Sequence, residues 1–357
     1  MGVTEQSSTG QILAMGEVLV DLIVADGATT LKSADTFVAR SGGAPANASV
    51  AAARLGLASA FCGVVGNDQF GSRLQAELAA EGVDTSRLRQ SEEAATTLAF
   101  AWKDATGDGH FWLLRGADAQ LAEADVRAAG IAGLSTLVVG SVALSAQPTQ
   151  SAIEHAVSLA HDANVPVVFD VNLRPTIWSN LADARPACEE VARRSRLVKL
   201  SLDDAKGLYG AEITADDAIQ TVLSLGPSTV VLTDGERGCW FSSGSSVTFV
   251  PAFGVDAVEP TGAGDAFTAG IIARSVASGW APLSVEDVRY AAARPAPWRG
   301  GARSAARARP VARPSSLPAP SRHRLDNLLQ HGGVIACLVA LRKQERHRPL
   351  PRRVRKS

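Results

Sequence analysis

The stretch T-G-A-G-D-A-F at 261–267 places three residues with little or no side chain directly before a carboxylate. A phosphate can approach the backbone N–H groups of Gly262, Ala263 and Gly264 closely, and the run 265–276 reads as a helix whose first N–H groups are unsatisfied and partly positive. A carboxylate at Asp265 can take the proton of an attacking hydroxyl while the turn stabilises the oxygens of a phosphoryl group in flight. Taken alone, the tetrapeptide reads equally well as a tight turn with an aspartate helix cap. A second segment favours the chemical reading. Residues 41–56, S-G-G-A-P-A-N-A-S-V-A-A-A-R-L-G, combine a glycine pair that permits close backbone approach with Asn47, which offers both a donor and an acceptor to hydroxyl groups.

These residues need a scaffold. Apolar runs at 12–15, 136–140, 165–169 and 229–233 read as buried parallel strands, and alanine-rich stretches such as 150–163 and 183–195 read as helices between them. Alternating strands and helices predict a three-layer α/β/α sandwich with a mostly parallel central sheet. Segments at about 18–40 and 95–115 are strand-like but partly polar, with a turn at Thr106-Gly107-Asp108-Gly109. In an open parallel sheet ligands bind at the carboxyl ends of the strands, where Asp21, Asp170 and Asn172 fall.

The 357 residues fit one large domain plus an appendage. The net charge of −1 conceals an asymmetry: residues 1–293 carry 19 Lys+Arg against 34 Asp+Glu, and residues 294–357 carry 16 against 2. Eight of the 17 prolines also lie in that last segment, so composition changes abruptly within an apparent helix. Cys62, Cys188, Cys239 and Cys337 are far apart without metal-ligand spacing, the expectation for a reduced cytoplasmic protein. The first residues lack a signal pattern and no apolar run approaches a membrane span.

The 41–56 and 261–267 segments resemble, in order and separation, the two signatures of the ribokinase-like (PfkB-type) sugar kinases. The resemblance continues through G-E-V-L-V-D at 16–21, F-C-G-V-V-G-N-D-Q-F-G at 61–71, T-T-L-A-F at 96–100, L-R-G-A-D at 114–118, F-D-V-N-L-R at 169–174 with Trp178, K-L-S-L-D-D at 199–204 and L-T-D-G-E-R-G at 232–238. It covers roughly residues 12–293, and among members the pattern is most similar to fructokinase.

That resemblance implies ATP-dependent phosphorylation of a sugar's primary hydroxyl, D-fructose to fructose 6-phosphate, by a kinase domain at 1–293 whose 18–40 and 95–115 segments form a small β-sheet lid. It implies Asp265 as general base, with Gly262, Ala263 and Gly264 as the anion hole. It implies Asp21, Gly42, Gly43 and Asn47 on the sugar, Phe100 and Arg115 reaching in from the lid region, and Asn172 and Arg174 near the phosphate. Thr233, Gly235 and Gly238 resemble the loop along the nucleotide, which Gly262 and Gly264 also touch. Ser201 and Asp204 stand where the family has Asn and Glu, so a carboxylate on a shorter arm is left for water-mediated Mg²⁺. ATP and Mg²⁺ are the implied co-substrate and metal, and a homodimer through the lid is the implied assembly.

Two departures stand out. Glu259 and Pro260 replace the family's usual Asp and Thr or Pro at a loop associated with a monovalent cation. Residues 294–357 replace the family's adenine-covering helix and cation loop with a Pro/Arg-rich tail, the composition an out-of-frame reading of a GC-rich gene produces. Rival readings are a kinase of ribose, 2-keto-3-deoxygluconate or a nucleoside, a sugar-binding relic without catalysis, and a nucleic-acid binder acting through the tail's 14 arginines.

Overall fold

A computed structural model describes residues 10–244, 246–254 and 262–293. The basic tail at 294–357, the positions Glu259 and Pro260, and Thr261 lie outside the described residues.

Nine strands form the central sheet: β1 (Ile12–Met15), β4 (Ser59–Gly66), β5 (Asp84–Ser91), β8 (Thr136–Gly140), β9 (Val167–Asp170), β10 (Leu197–Ser201), β11 (Thr229–Thr233), β12 (Gly238–Ser242) and β13 (Thr248–Pro251). Their spatial order is β13-β12-β11-β10-β9-β8-β1-β4-β5, parallel from β11 to β5 and antiparallel at the β11/β12 and β12/β13 pairs. The remaining four strands, β2 (Leu19–Val24), β3 (Phe37–Gly42), β6 (Leu98–Lys103) and β7 (Gly109–Leu114), make a separate sheet ordered β3-β2-β6-β7. This second sheet coincides with the two partly polar segments, and the Thr106–Gly109 turn joins β6 to β7. Asp104 ties that turn by accepting the Thr106 and Asp108 backbone N–H groups.

The parallel strands read as continuous apolar runs because both of their faces are buried. Within β1, Leu13 and Met15 join one core cluster while Ile12 and Ala14 join the other. The first cluster takes in side chains of α3 (Glu123–Ala128), α4 (Thr149–Asp162), α5 (Ala184–Arg193), α6 (Leu202–Tyr209) and α7 (Ala215–Leu223). The second takes in α1 (Ala44–Arg54), α2 (Gln69–Ala80), α8 (Ala263–Ala277) and α9 (Val285–Ala292). Helices on both faces of one sheet give the three layers expected from the strand–helix alternation.

Two helix pairings shape the region around the head of α8. Helix α1 packs along α8, which brings residues 218 positions apart within hydrogen-bonding distance. Helix α9 crosses α8 at Gly270, where even a methyl group would lie 2.7 Å from the Ala291 Cα. Ser284 and Asp287 start α9 with reciprocal side-chain to backbone bonds, so the helix has a defined beginning.

Candidate active site

The start of α8 is set by Gly262, which holds φ +79 as the residue before the first helical position. A left-handed turn there suits glycine and leaves the N–H groups of the first helical turn facing away from the helix body. Asp265 is the third residue of the helix. Asn47, in the first turn of α1, donates its Nδ2 to Asp265 Oδ2 at 2.7 Å. Gly43 precedes α1 with φ +105, and any Cβ on it would overlap the backbone carbonyl of Glu17. Glu17 in turn accepts the Ala44 N–H on Oε1 at 3.0 Å, capping α1, while its Oε2 is buried without a partner among the described residues.

Between the lid and these helix starts lies a cavity of about 340 Å³, a size suited to a small polar molecule. Asp21, Gly43, Asn47, Asn172 and Arg174 line it, as do Gly262, Gly264 and Asp265. Burial pushes the Asp265 carboxyl up to about 6, reinforced by Asp170, while Asn47, Lys199 and Arg174 oppose the shift. Burial likewise raises Asp21 to about 7, with Arg174 opposing and Asp265 adding to it. Glu17 is raised to about 7 chiefly by desolvation, with Asp118 contributing.

A second cavity of about 140 Å³ lies beside the first. Thr233, Gly235 and Gly238 line it on one side, and Ala263 and Gly264 on the other. Val250, Phe253, Phe267 and Ala292 make its wall largely apolar. Gly264 borders both cavities, so the turn at the head of α8 is the place where occupants of the two would meet. Gly238 sits at φ +127, and a Cβ there would collide with the Val250 carbonyl on the neighbouring strand.

Five expected site residues are placed elsewhere. Gly42 lies behind Asp21, where a side chain would overlap the Asp21 carboxylate, so its effect on the cavity is indirect. Phe100 turns to the outer face of the lid, between Phe37 at 5.8 Å and Trp112 at 5.3 Å, and its neighbour Ala99 faces the cavity. Side chains alternate along a strand, so the choice between 99 and 100 is one of parity. Arg115 does not line the cavity. Its Nε and Nη2 both donate to Asp118 Oδ2, at 3.0 and 2.6 Å, and its Nη1 donates to Ser145 Oγ and the Val142 carbonyl. Asp118 is 1% exposed, so the guanidinium compensates a buried carboxylate.

Ser201 and Asp204 form a capping box at α6: Ser201 Oγ accepts the Asp204 N–H at 3.0 Å and Asp204 Oδ2 accepts the Ser201 N–H at 2.7 Å. The other oxygen, Asp204 Oδ1, accepts the Leu173 N–H at 2.8 Å. Both oxygens are thus engaged by backbone, and the bond to Leu173 fixes the loop that presents Asn172, at φ +41, and Arg174. Among the described residues no group of three or more His, Cys, Asp or Glu side chains is arranged to hold a metal ion.

Other residues enter the site without having been singled out by sequence. Phe111 and Leu113 reach the cavity from β7, with Arg174 stacked 5.7 Å over the Phe111 ring. Lys199 reaches it from the middle of β10 and donates to Asp170 Oδ1 at 2.9 Å, while Thr268 Oγ1 on α8 donates to Asp170 Oδ2 at 2.7 Å. A lysine inside the otherwise apolar run L-V-K-L was the available signal for this network.

The sequence profile of the pfkB family carbohydrate kinases matches residues 9–294. The chain belongs to that family. It is 32% identical over 278 residues to fructokinase-1 of Oryza sativa subsp. japonica, an alignment covering 77% of this chain and 85% of the rice protein. The fructokinase of Xylella fastidiosa, solved with bound ATP, superposes with a TM-score of 0.71 at 27% identity, covering 80% of this chain and 91% of that one. The fructokinase of Vibrio cholerae O395, solved with fructose, ADP and a calcium ion, gives 0.68 at 28% identity over 79% of this chain and 90% of its own. The protein is a carbohydrate kinase with the ribokinase-like fold. No helix among its described residues is long and apolar enough to cross a membrane.

Proposed function

We propose that this pfkB-family kinase transfers the γ-phosphoryl group of ATP to the primary hydroxyl of D-fructose, giving fructose 6-phosphate and ADP. One observation carries the reading. Asp265, with its proton affinity raised to about 6, stands on the Gly262–Gly264 turn at the junction of a polar cavity and an apolar one. In this reading the polar cavity holds the sugar through Asp21, Asn47 and Asn172, and the apolar one holds the nucleotide along Thr233, Gly235 and Gly238. Asp265 takes the proton of the hydroxyl, the freed oxygen bonds to the γ-phosphorus, and the bond from phosphorus to the ADP oxygen breaks. Backbone N–H groups of the turn, the α8 N-terminus and Arg174 face the charge on the phosphoryl oxygens.

Magnesium enters as part of MgATP. Asp204 does not fit a direct ligand, because both its oxygens already accept backbone N–H groups, and no step is assigned to it. Its role in this reading is to hold the 172–174 loop. The loop associated with a monovalent cation falls outside the described residues.

The fructokinases among the relatives support fructose over ribose or 2-keto-3-deoxygluconate. The lid supports a homodimer, since Trp112 and Leu114 are about half exposed on the face turned away from the cavity. Free, buried Cys62, Cys188 and Cys239 suit a reducing, cytoplasmic setting. Residues 294–357 are read as an aberrant ending to the kinase domain, without a nucleic-acid function. That segment begins two positions after Ala292, which lines the apolar cavity, so ATP binding is the step it affects.

A panel of fructose, ribose, 2-keto-3-deoxygluconate and adenosine with MgATP, monitored by ADP release, tests the assignment. Fructose should give the highest kcat/KM. Preference for another acceptor rejects fructose and keeps the kinase, whereas no transfer together with measurable fructose binding identifies a sugar-binding relic.

A further inference from the structure

Helix α1 begins without a cap of its own. Its N-cap position is Gly43, where φ +105 and a 2.4 Å approach of any Cβ to the Glu17 carbonyl oxygen exclude the Ser, Thr, Asp or Asn that usually binds the first free N–H groups of a helix. Glu17, 27 positions before Ala44 and only 3% exposed, does so instead, with Oε1 accepting the Ala44 N–H at 3.0 Å. That N–H belongs to the same rigid peptide unit as the Gly43 carbonyl, which accepts the Asn47 N–H at 2.8 Å. Asn47 in turn donates its Nδ2 to Asp265. A continuous path of three hydrogen bonds and one peptide plane therefore runs from Glu17 to the carboxyl at the head of α8.

The arrangement is costly. Glu17 Oε2 is buried without a partner among the described residues, and desolvation, with Asp118 adding to it and Arg115 opposing, raises the carboxyl to about 7. An apolar side chain of similar length would fill the space without that penalty, so packing does not account for a carboxyl here. The bond to Ala44 does. Glu17 lies two residues beyond β1, and through this bond the head of α1 is tied to the carboxyl end of the sheet.

We propose that Glu17 is a positioning residue for the phosphoryl transfer: through the Gly43–Ala44 peptide it holds Asn47 in hydrogen-bonding register with Asp265. The inference rests on the proposed kinase reaction, with Asp265 as its base. The role asks of Glu17 only an acceptor oxygen at the reach of its side chain. Oε1 accepts the Ala44 N–H whether the carboxyl is neutral or ionised, and the amide oxygen of a glutamine can do the same.

The pH dependence of kcat/KM for the acceptor sugar, measured on the full chain at saturating MgATP, tests this. The charged groups facing Asp265 are Asp170, Lys199, Arg174 and, across the cavity, Asp21, while those facing Glu17 are Asp118 and Arg115. The Asn47 bond holds the Asp265 carboxyl down against burial and Asp170. Glu17→Met should misplace Asn47 and lower kcat/KM at pH 8 about tenfold or more. It should also move the inflection upward from about 6 by roughly one pH unit, the effect of losing a hydrogen bond to a charged acceptor. Glu17→Gln should stay within about threefold of the parent and keep its inflection. Both replacements are neutral, so a difference between them isolates the hydrogen bond from the charge. In an Asn47→Ala background, Glu17→Met should move the inflection no further. If the Glu17→Met chain fails to fold, Glu17→Asp, whose carboxyl is one methylene short of Ala44, must show the same upward movement. A Glu17→Met enzyme that melts earlier yet keeps the parent inflection overturns the proposal in favour of a purely structural cap. So does a Glu17→Gln enzyme that moves as far as Glu17→Met, or a further movement in the Asn47→Ala background. Should the parent transfer phosphate without an inflection that Asp265→Asn removes, or transfer none to any sugar, the assigned base or the kinase reading falls and takes this inference with it.

Discussion

Replacing Asp265 by Asn tests the assigned base with little change of shape. The Asn47 Nδ2 donates to Asp265 Oδ2 at 2.7 Å, and the amide oxygen of an asparagine can accept that bond, so α1 and α8 stay in register. What is lost is basicity, and removal of a general base lowers rates by about 10² to 10⁴. The structure adds a pH signature. With the carboxyl at about 6, set mainly by burial and then by Asp170, the ionised and reactive form predominates above that value. The parent rate should therefore fall about tenfold for each pH unit below the inflection. At pH 5, roughly one molecule in ten would carry the base in its active form. Measurement of kcat/KM for the sugar between pH 5 and 8 reports the group before the sugar fills its cavity, the state to which the value of about 6 belongs. Asp265→Asn should be slow throughout and lack the inflection. A variant within about threefold of the parent at pH 8, or one that keeps the inflection, refutes Asp265 as the base.

Stability offers two further tests in the same region. Gly43→Ala forces a side chain into φ +105 and into the Glu17 carbonyl, so it should cost at least about 2–3 kcal/mol and lower Tm by roughly 4–10 °C. Gly27→Ala, at φ +78 with open space around it, is the matched control, and thermal melts giving equal shifts would show that the clash is absent. For Glu17, the folded value of about 7 lies above its reference of 4.5, so the folded state keeps this proton longer than the unfolded state. The sign is that parent stability declines as pH rises from about 4.5 to 7, and the cost of charging the buried carboxyl is complete above 7. Glu17→Gln does not titrate, so without ligand it should melt close to the parent at pH 5 and exceed it by about 2–4 kcal/mol at pH 8. Urea unfolding at the two pH values measures the difference, and an equal gain at both removes charge as its cause.

Much of this architecture was written locally. The runs at 12–15, 136–140 and 229–233 coincide with β1, β8 and β11 because strands buried on both faces must be apolar throughout. The 261–267 stretch announced its own turn, since Gly262 needs a left-handed conformation and the helix begins one residue later. Facing was harder to read. The lid sequence L-A-F-A-W offers a large side chain at Phe100, but strand parity set by the Asp21/Ala99 pairing turns that ring outward and leaves the small Ala99 over the cavity. Two structural roles were legible and outweighed by the family pattern. R-G-A-D spaces Arg115 and Asp118 three apart, and S-L-D-D has the spacing of a capping box at Ser201 and Asp204. The apolar cavity was not legible, because Val250, Phe253, Phe267 and Ala292 are brought together only by the packing of β13, α8 and α9.

Four carboxyl groups meet around the acceptor cavity, and their partners separate them by role. Asp170 is saturated, with Lys199 on both oxygens and Thr268 on one, so taking a proton would break an ion pair. Glu17, which also lines the cavity, spends one oxygen on the head of α1, and its other is buried without a partner among the described residues. Asp21 stands on the lid strand β2, with Gly42 behind it, on the far side of the cavity's helix-built wall. Asp265 alone combines a position on the anion turn, one hydrogen bond from a neutral amide and open cavity in front. Its raised pKa needs both the low-dielectric surroundings and the fixed negative charge of Asp170, while Lys199 and Arg174 keep the shift from running further. A base near 6 is ionised at neutral pH and still basic enough to share a hydroxyl proton as the new bond to phosphorus forms. Burial thus sets most of the base's proton affinity, with Asp170 raising it further and Asn47, Lys199 and Arg174 drawing it back.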